Sequence, residues 1–290
     1  MIARPAGQQP VSGDDGSGTS GSVRSQRWVW QTAVILAATI ASAAVLKVFV
    51  VEAFRVPSAS MERTLLPGDY VLVSKLAYGI HRSNALSATL LPTASSLHSS
   101  LIRRGDVIVF EYPGPLNPLS GAVRMPFIKR CIGLPGDEVA LRGSQVLING
   151  RALLLPSAKG IGADDHARSD WGPVTIPAAG TVIALSGGTF DRWRQVLEAE
   201  GQHGVISPDG SILLNGQPAR EYTLRRNYYF VLGDNRGNSL DSRVWGFVPE
   251  NAVIGKAVMV YWSWDPSVPT ASLRDLVRRV RWARIGSIIR

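Results

Sequence analysis

From Trp28 to Leu46 the chain carries no charge, and only Gln31, Thr32, Thr39 and Ser42 interrupt the apolar run. Continued through Lys47 to Val51, the span is about 24 residues, enough to cross a hydrocarbon layer of about 30 Å at 1.5 Å per helical residue. Trp28 and Trp30 suit one interface, and Lys47 can snorkel to the other. A cleavable leader has a shorter apolar region, of about 7–15 residues. Residues 28–51 therefore read as an uncleaved transmembrane anchor. Residues 1–27, rich in Gly, Ser and Gln without apolar periodicity, read as a disordered cytoplasmic tail. Arg24 and Arg27 lean towards an inside N-terminus, but Lys47 and Arg55 follow the span, so charge alone leaves the orientation open.

Beyond the anchor the pattern becomes β-like. Gly68-Asp69 precedes Tyr70-Val71-Leu72-Val73, Gly105-Asp106 precedes Val107-Ile108-Val109-Phe110, and Gly136-Asp137 precedes Glu138-Val139-Ala140-Leu141. Three turn-then-strand units argue for a mainly antiparallel β domain. Asn149-Gly150 and Asn215-Gly216 each follow a short aliphatic run and predict hairpin turns. Residues 82–102 read as an exposed loop or a short helix, and residues 157–210, dense in Gly, Pro, Asp and Ser, as part of an inserted subdomain. The one strong helical pattern after the anchor runs from Ser272 to Ile285. It puts Leu273, Leu276, Val277 and Val280 on one face, which either packs on the β domain or lies on the membrane.

Composition narrows this little. A chain of 290 residues with 45% hydrophobic and 18% charged residues can bury a real core. The net charge of +9 has no zinc-finger or RNA-binding signature beside it, so nucleic acid is not an expected partner and an anionic membrane surface is. Cys131 stands alone, which rules out an intramolecular disulfide. His81, His98, His166 and His203 lack metal-ligand spacing, so neither a metal nor another cofactor is expected.

The candidate chemistry begins at Ser58-Ala59-Ser60-Met61, just past the anchor. A serine hydroxyl is a weak nucleophile and needs a base. Histidine is the usual one, and His166 stands near Asp164 and Asp165, yet it falls in the loop-rich insert and nothing ties it to Ser60. A lysine serves if it is neutral. Burial disfavours the ammonium, and a fall of about 2 units from the reference value of about 10.4 represents roughly 2.7 kcal/mol. In a strand over Pro126–Ile132, Lys129 shares a face with Phe127 and Cys131, while Ile128 and Ile132 take the other. Such a lysine is either a buried base or a snorkelling strand residue.

Together these segments resemble a type I signal peptidase, a membrane-anchored Ser-Lys serine protease. The resemblance rests on the anchor, the Ser58–Met61 box and the Gly68-Asp69 continuation. It rests equally on Lys129-Arg130 running to Gly136-Asp137, and on the Gly233–Arg243 loop extending to Trp245-Gly246-Phe247. It implies that Ser60 is the nucleophile and Lys129 the general base. Ser58 would then supply an oxyanion-hole hydroxyl beside the Ser60 N–H, Ser239 would orient Lys129, and Asp241 and Arg243 would brace the loop as an ion pair. The implied fold is mainly β, a coiled antiparallel catalytic core over 52–145 and 222–290 with an inserted β subdomain over 146–221. The implied substrates are exported preproteins with small residues at −1 and −3, met at the bacterial plasma membrane on its extracytoplasmic side, with the bilayer and the export translocon as partners. A catalytically inactive membrane-tethered scaffold of the same fold is the alternative. A self-cleaving repressor-type protease would be soluble and carry a DNA-binding module. Two positions depart from the resemblance: Arg63 stands where proline is usual, and Gly237 where an acid is common.

Overall fold

The computed structural model describes residues 20–45, 47, 50–78, 102–112, 126–143, 145–154, 170–269 and 272–290. Residues 1–19, most of 82–102, and His81, His98, Asp164, Asp165 and His166 lie outside the described residues, as do positions 46, 48 and 49 of the expected anchor. The chain divides into Met1–Leu46 and Lys47–Arg290.

The first unit holds a helix, Ser20–Val45, whose apolar side chains Trp28, Trp30, Ile35, Leu36 and Ile40 are exposed. Thr32 and Thr39 return their hydroxyls to carbonyls three or four residues back, so neither leaves an unpaired polar group on the helix. Among the described residues no helix is long and apolar enough to cross a membrane. The helix begins within the stretch read as tail, and Val51 already belongs to a strand, so residues 28–51 are not one helix. The cause is register: Val51 pairs with Ser74, which draws the end of the expected span into a sheet.

In the second unit Val51–Arg55 (β1), Asp69–Ser74 (β2), Val107–Glu111 (β3) and Pro126–Gly133 (β4) come first. Glu138–Arg142 (β5), Gln145–Ile148 (β6), Arg151–Ala152 (β7) and Trp171–Thr175 (β8) form a four-stranded sheet ordered β7-β6-β5-β8. Val182–Ala184 (β9), Gly204–Ile206 (β10), Ile212–Leu214 (β11), Gln217–Pro218 (β12) and Glu221–Thr223 (β13) form two smaller sheets. Tyr228–Leu232 (β14), Val248–Pro249 (β15) and Val253–Ser263 (β16) return to the first group, giving a seven-stranded antiparallel sheet, β1-β2-β16-β3-β4-β14-β15. The 11-residue β16 pairs with β3 through its first half and with β2 through its second, with register shifts in both pairings. Such irregularities bend a strand and curl the sheet.

Both faces of this sheet are covered, which explains why β3 is nearly uniformly apolar rather than alternating. Val107 and Val109 join one cluster with Met61, Leu65, Val71 and Val73, whereas Ile108 and Phe110 join another with Cys131, Tyr229 and Val231. A third cluster, built around Phe190, Ile212 and Phe230, underlies the smaller sheets.

The turns follow their sequence signals. Asn149-Gly150 and Asn215-Gly216 have positive φ at both residues and close β6–β7 and β11–β12. Gly68, Gly105 and Gly136 also take positive φ, and the aspartate after each accepts the N–H three residues back, from Leu66, Arg103 and Leu134. One local device thus launches β2, β3 and β5. Two helical segments differ from expectation. Phe190–Ala199 is a helix inside the loop-rich stretch, with Phe190, Val196 and Leu197 buried. The C-terminal helix covers only Leu273–Arg279 and buries none of its residues, because Val280 turns extended and bridges Trp264.

The segment after that helix straps the loop that follows Ser60. Arg284 donates to both carboxylate oxygens of fully buried Asp69 and to Thr64 O, and Arg281 donates to Pro67 O. Removing the arginine leaves a buried carboxylate without its counter-ion, a loss of about 3–5 kcal/mol. Arg284→Ala should lower the urea unfolding free energy by that amount with an unchanged slope. A loss under about 1 kcal/mol would mean that water reaches Asp69 and the strap is not structural.

Candidate active site

Ser60 sits in a 3-10 turn, Ala59–Met61, held from below by Met61 and Leu65, which are almost wholly buried in the core. Ser58, just before the turn, is extended, and its Oγ lies 3.3 Å from Ser60 Oγ. The loop after β14 holds the turn from the side. Asn235 N–H donates to Ser60 O at 3.1 Å, and its side-chain amide donates to Ala59 O and to Glu62 Oε2.

Lys129 comes from β4, whose alternation puts Phe127 and Cys131 in one cluster and Ile128 in another. Its Nζ is hydrogen-bonded to Ser60 Oγ at 2.8 Å, donates to Ile128 O at 3.1 Å, and lies 5.3 Å from the centre of the Phe127 ring. Only 4% of the residue is exposed. Burial lowers its pKa to about 8, against an opposing pull from Asp241 and Asp234. Roughly one amine in ten is then neutral at pH 7, against about one in several thousand for a free lysine.

The loop that follows β14 carries the remaining expected residues. Arg243 Nε and Nη2 donate to the two oxygens of Asp241 at 2.8 and 3.0 Å, and Arg243 also donates to Arg236 O. Asp241 in turn accepts Gly233 N–H. Ser239 Oγ is buried against Gly233 and has no hydrogen-bond partner, so a bond to Lys129 is not formed here. The space is closed by chain packing: a Cβ on Gly233 would collide with Ser239 Oγ and Ser60 O.

Sequence reading assigned no role to Arg130, Asp234 or Thr64, yet these tie the two boxes together. Arg130 donates through Nε and Nη2 to both oxygens of Asp234 at 2.8 Å, and Thr64 Oγ1 donates to Asp234 at 2.6 Å. Both ion-pair partners are 2% exposed. The available signal was one unexplained charge of opposite sign in each of two boxes. Beside Ser60 and Lys129 opens a cleft of about 420 Å³ with walls of Val56, Pro57, Met61, Phe127, Ile128 and Leu240. Among the described residues no cluster of His, Cys, Asp and Glu could hold a metal ion.

A buried serine and a buried lysine are thus in contact on a curled antiparallel sheet, beside an apolar cleft. The chain matches the signal peptidase, peptidase S26 family over residues 26–262 and belongs to that family. It is 34% identical to signal peptidase I of Pseudomonas aeruginosa over 236 residues, covering 77% of this chain and 69% of the relative. Against signal peptidase I of Aquifex aeolicus the identity is 32% over 255 residues, with 82% and 87% covered. A crystal structure of a signal peptidase I from Enterococcus faecalis aligns at 26% identity and a TM-score of 0.30, over 53% of this chain and 95% of that one. The activity is that of a signal peptidase I, cleavage of signal peptides.

The turn around Ser60 is unusual at Arg63, whose φ of 99° lies where side chains other than glycine rarely go. Proline, fixed near −65°, cannot adopt it, so this loop takes a path that the usual proline would forbid. A conformation of this kind costs about 1–3 kcal/mol. Arg63→Gly should raise the melting temperature by about 2–4 °C, after allowing for the looser unfolded chain, and Arg63→Pro should lower it. Calorimetry on both variants checks this, and a more stable proline variant would rule out the positive φ.

Proposed function

We propose that the chain is a membrane-anchored serine endopeptidase that cuts preproteins after small residues at −1 and −3 with a Ser60–Lys129 dyad. The observation that carries this is the 2.8 Å contact between Lys129 Nζ and Ser60 Oγ in surroundings that lower the amine's pKa to about 8. Neutral Lys129 takes the Ser60 proton as Oγ attacks the scissile carbonyl. The oxyanion receives the Ser58 hydroxyl and the Ser60 N–H. As the intermediate collapses, the ammonium returns its proton to the leaving amine, and an ester remains on Ser60. Water, deprotonated by the same lysine, then hydrolyses that ester. Ser239, buried without a partner, provides an acceptor for the ammonium when it forms, and the Asp241–Arg243 pair braces its loop.

The anchor on this reading is the uncharged run Trp28–Leu46, whose described helix exposes its apolar side chains but is not by itself long and apolar enough to cross a membrane. On this reading the catalytic core, 52–145 and 222–290, faces the extracytoplasmic side at the bilayer, near the export translocon, with 146–221 inserted into it. The seven-stranded sheet draws only on residues 51–133 and 228–263, whereas β5 pairs with β6 and β8 across the 145/146 boundary and β13 spans 221/222, so by strand pairing the insert takes in Glu138–Thr223. The dyad is tested by cleavage of a preprotein with alanine at −1 and −3: Ser60→Ala should abolish the cut, and a variant that still cuts would exclude Ser60 as the nucleophile.

The lysine makes a pH prediction with a definite sign. The neutral amine is the working form, so kcat/KM should rise with pH and level off above about 8. Lys129→Arg should be inactive at every pH, because guanidinium does not lose its proton. A flat profile between pH 6 and 10 would exclude Lys129 as the base.

Ser58 is tested separately. One oxyanion donor is typically worth about 2.7–4 kcal/mol, a factor of about 10² to 10³ in kcat. Ser58→Ala should lower kcat by that factor with KM nearly unchanged, and Ser58→Thr should recover much of the rate. A loss of less than about tenfold, accompanied by a lower melting temperature, would make Ser58 a turn residue only.

A further inference from the structure

The cleft beside Ser60 carries a charge that the reaction does not use. Arg55 ends β1, is exposed, and lines the same cleft as Val56, Pro57, Phe127 and Leu240. Of the charged side chains in that wall, Lys129 is committed to Ser60, Arg55 is the other, and no carboxylate is present. Among the described residues Arg55 makes no ion pair. Its position along the cleft is defined. Ser58 Oγ lies 3.3 Å from Ser60 Oγ, so Ser58 marks the level of the scissile bond. Arg55 stands three residues before Ser58 on an extended stretch, about 10 Å away at ~3.3 Å per residue. An extended substrate beside it advances at the same rise. With the substrate running parallel to that stretch, three residues before −1 brings Arg55 level with −4, and its long side chain reaches −5.

We infer that Arg55 is a specificity residue that selects an acidic side chain at −4 or −5 of the substrate. The inference rests on the endopeptidase reading above, with residues −1 and −3 seated between Ser58 and Phe127. A guanidinium is weakly hydrated and presents a planar fork of donors that matches a carboxylate. Arg55 is exposed, so the attraction is a screened one that added salt weakens. A lysine at the same substrate position meets repulsion instead, so the two peptides separate in opposite directions.

The test uses the full chain in detergent and peptides with alanine at −1 and −3. One series carries Glu, Ala or Lys at −4, and a second carries them at −5. The readout is the ratio of kcat/KM for the Glu peptide to that for the Lys peptide, measured for wild type, Arg55→Ala, Arg55→Lys and Arg55→Glu. Melting temperatures verify that each variant is folded. In at least one series the wild-type ratio should be about 5–10 at low salt and fall as salt is added. Arg55→Lys should keep a ratio above 1, Arg55→Ala should bring it near 1, and Arg55→Glu should invert it. A wild-type ratio of 1 in both series, or a preference that survives Arg55→Glu, overturns the inference and leaves Arg55 a solvated or headgroup-facing charge. Cleavage without charge preference thus removes the inference alone. Failure of wild type to cut any of the peptides removes the endopeptidase reading and the inference with it.

Discussion

On the proposed dyad, the site depends on easing the proton off one amine while carboxylates stand near it. Burial pushes the pKa of Lys129 down to about 8, and Asp241 and Asp234 push the other way. An unpaired carboxylate at either position would hold the ammonium in place and leave Ser60 without a base. Each aspartate is instead claimed by its own guanidinium, Asp234 by Arg130 and Asp241 by Arg243. Thr64 and the Gly233 N–H take further lone pairs. The ion pairs around the lysine therefore serve less as sources of stability than as a way of neutralising acids that the fold has to place there. Buried pairs are weak evidence for net stabilisation in any case.

The same contacts fix the turn that carries Ser60. The loop that carries Asp234 also carries Asn235, which donates to Ser60 O and Ala59 O. Thr64, four residues after Ser60, donates to Asp234 and receives Arg130 Nη2. Arg284 closes the far side through Thr64 O and Asp69. Three segments distant in sequence thus converge on one short turn, each through a hydrogen-bonded charge.

What was legible in the sequence was local. The Asn-Gly turns, the Gly-Asp strand starts and the face shared by Lys129, Phe127 and Cys131 all follow from short-range rules of φ and alternation, and the structure has them. The contact of Ser60 with Lys129 came from the family resemblance, since the two are 69 residues apart and no periodicity joins them. The helix Phe190–Ala199 was missed although Phe190, Trp193, Val196 and Leu197 recur at helical spacing among good helix formers, because the Gly-, Pro- and Ser-rich residues around it led that local signal to be passed over. The C-terminal helix was overdrawn for the opposite reason: its periodic pattern continues past Arg279, but Val280 is taken by a bridge to Trp264. The Arg130–Asp234 pair is invisible to any local rule, because its partners are 104 residues apart.

The lowered pKa of Lys129 also carries a thermodynamic consequence. Its folded pKa, about 8, lies below the ordinary value of 10.5, so the unfolded chain binds that proton more tightly. The destabilisation is fully present below pH 8 and is relieved as pH rises from 8 towards 10.5. Catalytic competence and this contribution to stability therefore increase over adjoining ranges of pH, both driven by loss of the same proton. The buried phenols set the upper limit. Burial and the acids Asp106 and Glu200 raise Tyr78 and Tyr228 far above 10, so in the unfolded chain they ionise first. Their contribution is intact below pH 10 and is lost above it. On the proposed dyad, the alkaline range is therefore bounded below by desolvation of the amine and above by desolvation of tyrosines in two separate clusters.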